Sequence, residues 1–526
     1  MEKRVVNLVN FVRGSEPRLE MDLYLPVVEQ IKADRAHHLP HTFLLQYDAM
    51  IREDFKELFL KEKDDDMELG VWFENCRQLI ETIGLKWDGR EGHNWDWFVH
   101  PGFLEGYAPK DREKIVDEVF RLFKEIFGEY PKVAGSWILD SYSMNYMCEK
   151  YGMKAFCNCR EQHAVDAYTL WGGPYSGGYY ASKNNMISPA QTKENQIPAP
   201  MFRMLGIDPV FSYDRRRRTF ENFKTVATFE PAGAGGRTQR NIDWYLDTYF
   251  RTPCLSHGHL TTGQENSFGW ERMNWGGCVK EGYLLQVATL EKMRDNGEIV
   301  VEKLGDTGEK FQKKFEFTPP AALCCDKDWY KGECKSYWFN CKHYRANLFI
   351  ENGRAYVRDI MKFDDRYEER YLHSGTTEFD AWYDTLPILD GHLWWTAETP
   401  SGVFVDKRVI SVKAIEKDEK TLSVSLSFED GSCAELVFTE RGITFLGKEN
   451  WRYETGDHAE QKIFESWGHR FVNKGDASIK RTGQVFDYRH NGFDYQAEVR
   501  AEIKESETGF VFIPQDETIE WILDLR

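Results

Sequence analysis

DREKIVDEVFRLFKEIFGEYPKVAGSWILDS, residues 111–141, carries two different periodicities, and their order decides the fold. In the first part Ile115, Val116, Val119, Phe120, Leu122, Phe123 and Ile126 form one apolar stripe, and Gly128 and Pro131 end it. That spacing predicts an amphipathic helix. The second part, VAGSWILD (133–140), is a short apolar run that reads as a strand closing on the carboxylate of Asp140. A helix feeding straight into such a strand is half of a βαβ unit, and a chain built of these units makes a parallel sheet.

The alternation extends in both directions from this stretch. Upstream, VVNLVNFVRG, HTFLLQYDAM (41–50) and ELGVWFEN (68–75) read as strands, separated by the helical patterns LPVVEQIKADRAHHL and IREDFKELFLKEKDD. Downstream come a helix YSMNYMCEKYGM, then the strands KAFCNCRE (154–161), PMFRMLGIDPVF (200–211) and TPCLSHGHLTTGQEN (252–266). About seven units in this length fit an α/β fold of the (β/α)7-barrel type over residues 1–275. No G-x-G-x-x-G follows any strand, which disfavours a dinucleotide fold. Residues 276–335 read as a helical connector. From 336 to 526 the pattern becomes antiparallel, with hairpin signals at Asn352-Gly353 and Asp430-Gly431, and predicts a β-sandwich.

Composition narrows the function. A net charge of −18 opposes binding to nucleic acid phosphates. The chain has no apolar run long enough to span a membrane, and MEKRVVNLVNFVRG is expected to be a first strand rather than a leader. Eleven cysteines, an odd number without paired C-x-x-C spacing, fit reduced thiols, hence an expected cytoplasmic location with no cofactor and no metal. The 17 Trp, 25 Tyr and 35 Phe are an excess that suits sugar stacking as well as core filling.

In a β/α barrel the working residues sit at the strand C-terminal ends. Those ends here are rich in carboxylates, and no serine stands in a G-x-S-x-G context. Glycosidic hydrolysis needs one carboxyl group to protonate the leaving oxygen and one carboxylate to attack or to activate water. Asp140 and Glu265 each end an apolar run and form the expected catalytic pair, although Asp140 also stands where a helix N-cap is favoured. Arg13, Glu16, Trp95, Asp96, Arg160, His163, Asp166, Trp171, Gln264 and Trp270 are the expected substrate-binding residues.

Two of these stretches resemble a known family. WILDSYSMNYMCEKYGMKAF is similar to the fourth-strand segment of glycoside hydrolase family 57, and GQENSFGWERMNW is similar to its later acid/base segment. The layout also resembles the clan that includes the family 38 α-mannosidases. GSWILDS, YTLWGGPY, FRMLGIDP and TGQENSFGW together resemble bacterial glycoside hydrolase/deacetylase-like barrels. The resemblance implies a retaining glycoside hydrolase acting on an oligo- or polysaccharide, with Asp140 at the nucleophile and Glu265 at, or one residue from, the acid/base. Asp stands here for the family's Glu and Glu for its Asp, and the N-terminal His-x-His of the family is absent. Two alternatives remain open: a metal-dependent polysaccharide deacetylase, and a non-catalytic carbohydrate-binding protein.

Overall fold

The computed structural model describes residues 3–17, 20–165, 168–204, 238–271, 279–328, 332–378, 381–383, 385–395, 398–458, 462–466, 469–473 and 477–525. Seven parallel strands form the N-terminal part: β1 (Arg4–Val12), β2 (His41–Leu45), β3 (Met67–Trp72), β4 (Val133–Gly135), β5 (Ala155–Asn158), β6 (Met201–Arg203) and β7 (Gly258–Thr262). They pair in chain order from β1 to β6, and β7 returns to β1 with Arg4 opposite Gly258. A parallel bridge between Met204 and Thr261 joins the β6 edge to β7 and closes the ring. The strands are apolar on both faces because helices cover the outside and side chains fill the inside.

The helices follow from the amphipathic patterns. Pro109–Phe127 buries Ile115, Val116, Val119, Phe120, Leu122 and Phe123, and Gly128 caps it at φ 84°, a left-handed conformation that suits glycine. Helices Tyr24–Ala36, Glu53–Glu62 and Ser141–Tyr151 make the β1–β2, β2–β3 and β4–β5 crossings, and Gln239–Phe250 precedes β7. The described part of the β5–β6 connection is built differently, from a hairpin, Gln162–Val165 with Tyr168–Leu170, from a two-residue strand, Gly178–Tyr179, antiparallel to β6, and from loop.

The predicted strand 133–140 is shorter in the structure. β4 ends at Gly135, and by Asp140 the chain is already entering the next helix. Likewise the strand expected over 252–266 begins at Gly258, and of 200–211 residues 205–211 lie outside the described residues.

After β7, helix Lys280–Asp295 leads to strand Val300–Glu302, which lies beside β1, and to helix Leu304–Lys314. A nine-stranded and an eight-stranded antiparallel sheet follow and share one core. The first sheet contributes Val357, Tyr453 and Phe512 to it, and the second contributes Leu422, Val424, Leu426 and Trp521. Asn352 and Gly353 both take positive φ, 53° and 75°, which is what a two-residue hairpin turn between Tyr344–Glu351 and Arg354–Lys362 requires. The first sheet docks on the barrel, where the Tyr175 ring stacks on Trp338 at 3.7 Å. Among the described residues no helix is long and apolar enough to cross a membrane.

Candidate active site

β1 delivers Arg13 to the C-terminal rim of the barrel, where it is buried and surrounded by acids. Its Nε and Nη2 donate to Glu74 at 3.1 and 2.8 Å, and its Nη1 donates to Glu265 at 3.1 Å. Glu16 lies 3.6 Å from Nη1. Burial alone disfavours the charge on Arg13; the carboxylates of Glu265 and Glu74 outweigh it and hold the guanidinium pKa above its ordinary value. The ring of Trp95 lies 4.4 Å from the guanidinium carbon, and its Nε1 donates to the Ser15 carbonyl at 2.9 Å.

Glu74 stands two residues beyond β3 and is held by donors from four strands' ends. Oε1 accepts from Trp137 Nε1 at 2.8 Å, Oε2 accepts from Trp72 Nε1 at 3.1 Å, and Gln46 Nε2 also donates to Oε2. Phe11 stacks on Trp72 at 4.3 Å and meets Trp137 edge-on at 5.2 Å, so three rings wall the interior beside this carboxylate. Glu265 follows β7, bridges in parallel register to Phe11, and accepts from Ser267 Oγ. Gly263 lets that segment approach β1, since a Cβ there would overlap the Val9 carbonyl. Two carboxylates on one guanidinium are close together. With about 2.3 Å between its terminal nitrogens, the bonded oxygens are no more than about 8 Å apart.

The structure thus brings together Arg13, Glu16, Trp95 and Glu265, with Gln264 adjacent through its backbone N–H to Asn10 Oδ1 at 3.0 Å. It places the other expected residues elsewhere. Asp140 is fully buried and caps helix Ser141–Tyr151: Oδ1 accepts from Ser143 N and from Arg112 Nη1, both at 2.8 Å, and Oδ2 accepts from Ser143 Oγ at 2.6 Å. These bonds make Asp140 the cap of that helix and the ion-pair partner of Arg112. Asp96 is clamped by Arg90, whose Nε and Nη2 donate at 2.8 Å each, and organises its own loop. Arg160 donates to the Met204 carbonyl at 3.1 Å and faces the Tyr175 and Tyr249 rings. Trp171 donates to Asp390 at 3.2 Å on the side of the C-terminal sheets, and Trp270 is buried against Tyr283 on the outer helices. The His163 side chain and all of Asp166 lie outside the described residues.

Glu74, Trp72, Gln46 and Trp137 complete the site and are not among the residues expected above. The strand-end rule names the first three. Trp137, inside GSWILD, has no signal that tells an inward indole from a core one.

No protein-family model matches the chain, and no curated protein matches it. Among solved structures, a protein from Parabacteroides distasonis to which a glycoside hydrolase/deacetylase role is ascribed matches with a TM-score of 0.51 at 16% identity, over 72% of this chain and 88% of that one. A family 57 branching enzyme from Thermococcus kodakaraensis matches at a TM-score of 0.29 and 10% identity, over 60% of this chain and 71% of that one. A 4-alpha-glucanotransferase from Thermococcus litoralis gives 0.28 and 9%, over 99% and 97%. The closed parallel ring with antiparallel sheets behind it is a fold shared with the first of these structures.

Proposed function

We propose that the chain is a carbohydrate-active hydrolase that cleaves a glycosidic bond with Glu74 and Glu265. The observation that carries this reading is the convergence of these two strand-end carboxylates on the single guanidinium of Arg13, inside a wall of Phe11, Trp72, Trp95 and Trp137. A gap bounded at about 8 Å is short enough for the carboxyl pair of a glycosidase, about 5 to 5.5 Å in retaining and about 6.5 to 9.5 Å in inverting enzymes. The aromatic wall supplies the flat apolar faces that sugar rings stack on.

Glu74, fixed by indole, amide and guanidinium donors, is the carboxylate that meets the anomeric carbon. Glu265 enters the cycle protonated, gives that proton to the leaving oxygen and then takes one from water, the double displacement that the family 57 resemblance implies. Arg13 sets the spacing of the two. The test is hydrolysis of a panel of aryl glycosides and polysaccharides by the native chain, Glu74→Gln and Glu265→Gln. Losses of about a thousandfold or more in kcat in both variants are expected. Two variants that fold and keep native rates on a substrate the native chain cleaves would overturn the assignment.

A further inference from the structure

The segment 364–383, described at 364–378 and 381–383, leaves the nine-stranded sheet after strand Arg354–Lys362, crosses to the barrel and returns to that sheet at Leu386–Asp390. Much of its attachment is polar. Arg112 Nη1 and Nη2 donate to the carbonyls of Tyr371 and Ser374, both at 2.7 Å. The Thr376 N–H donates to the Glu105 carbonyl at 2.8 Å, and the Glu369 N–H to that of Asn184 at 2.8 Å. In return the Glu369 carboxyl accepts from the Ser141 and Met186 N–H groups, each at 2.8 Å. The Tyr383 hydroxyl lies 2.5 Å from Glu105 Oε1 and 3.0 Å from the Leu139 carbonyl. At its far end Ala381–Trp382 pairs in parallel with Tyr168–Thr169, the hairpin that follows β5 on the barrel rim.

The charges in this seam do not balance. Glu105 comes from the turn Leu104–Gly106, Asp140 from the loop after β4, and Glu369 from the crossing segment, and all three are at most 2% exposed. Arg112, from helix Pro109–Phe127, is the cation that faces them among the described residues, and the Tyr383 hydroxyl completes the set of titratable groups there. Arg112 bonds Asp140, which leaves two buried acids without a counter-charge. Glu105 Oε2 has no hydrogen-bond partner among the described residues.

We propose that segment 364–383 is a pH-operated strap, docked across the rim while Glu105 and Glu369 carry protons and released as they ionise. Burial first, and the Asp140 charge second, push Glu105 up to about 7 and Glu369 up to about 8. Free carboxyls titrate near 4.3, so docking takes up protons in the interval between. The docked state is fully favoured below about pH 4, weakens as pH rises, and loses this contribution once pH passes the raised values. The strap holds the rim hairpin, so its release loosens the loop after β5.

Hydrogen exchange of the full chain, read at the amides of Glu369, Leu372, Thr376 and Trp382 and corrected for the intrinsic rate, tests this. Docking that takes up one proton changes protection about tenfold per pH unit, so a fall of at least a hundredfold is expected from about pH 5.5 to 7.5. The double variant Glu105→Gln/Glu369→Gln should flatten the fall to less than about tenfold, while Glu265→Gln should leave it intact, which separates this proposal from the hydrolase reading. Protection constant within about threefold in the native chain, or a native slope in the double variant, overturns it. If the double variant does not fold, infrared difference spectra of the native chain decide: loss of a protonated-carboxyl band across the same interval supports the strap, and its absence overturns it.

Discussion

Replacing Asp140 separates a structural carboxylate from a catalytic one. In Asp140→Ala the helix Ser141–Tyr151 loses its N-cap bond from Ser143 N, worth about 1 kcal/mol. Arg112 loses its carboxylate at full burial, and breaking such a pair costs about 3–5 kcal/mol. Two features reduce the total. Arg112 keeps three backbone carbonyls, of Tyr107, Tyr371 and Ser374, each at 2.7 Å. Glu105 or Glu369 can also ionise once the Asp140 charge is gone, and so replace part of the lost counter-charge. The expected net cost is therefore about 3–5 kcal/mol for Asp140→Ala. Asp140→Asn keeps an oxygen for the cap and should cost about 1–3 kcal/mol. Urea unfolding at about pH 6, followed by circular dichroism, measures both as shifts of midpoint at constant m-value. A nucleophile in an open pocket behaves in the opposite way, since removing it spares or raises stability while abolishing turnover. If Asp140→Ala unfolds within about 1 kcal/mol of the native chain, the charge accounting around Arg112 is wrong.

Two further outcomes follow from the rim. Arg13→Met leaves Glu16, Glu74 and Glu265 buried together without their cation, which should cost about 3–5 kcal/mol at pH 8. Urea unfolding at pH 8 should show that deficit, and a variant as stable as the native chain would refute it. Gly263→Ala places a methyl group against the Val9 carbonyl, so the chain before Glu265 must shift, with an expected cost of more than about 2 kcal/mol in thermal unfolding and a loss of activity to match; a variant as stable as native would refute the close approach.

The barrel was legible because its information is local. Amphipathic stripes such as that of residues 115–126 and apolar runs such as Val5–Val12 state their environment through spacing alone, and the hairpin at Asn352-Gly353 states its turn through two residues. The rim was legible in part. Reading outward from strand ends reached Arg13, Glu16, Trp95 and Glu265, because a parallel barrel puts those ends on one face. The capping role of Asp140 was legible as the alternative reading, but its ion pair was not, since Arg112 lies 28 residues earlier, just ahead of the apolar stripe of its helix. A carboxylate that caps and one that reacts have the same local signature, and what separates them is where β4 ends. Trp171 and Trp270 show the same limit: an indole beside a strand end is buried whether it faces a sugar or the core.

The connection between β5 and β6 explains why the C-terminal sheets are not an appendage. Elsewhere a helix covers each crossing, but here the described chain offers a hairpin, a two-residue strand and loop, whose Tyr179, Tyr180, Met186, Ile187 and Ile197 join the barrel core. The first C-terminal sheet bonds to this connection. Trp338 stacks on Tyr175, Asn340 Oδ1 accepts from the Tyr175 and Ser176 N–H groups at 3.1 and 2.9 Å, and Arg345 reaches Glu161 at 2.7 Å. Arg203, at the end of β6, shares that same glutamate at 3.2 Å. Glu161 therefore meets one arginine from each part of the chain, Arg203 of β6 and Arg345 of the first C-terminal sheet, and ties the two together. Tyr371, Ala381 and Tyr383 from the strap meanwhile belong to the barrel's own apolar core. The first C-terminal sheet thus meets the barrel at the loops after β5.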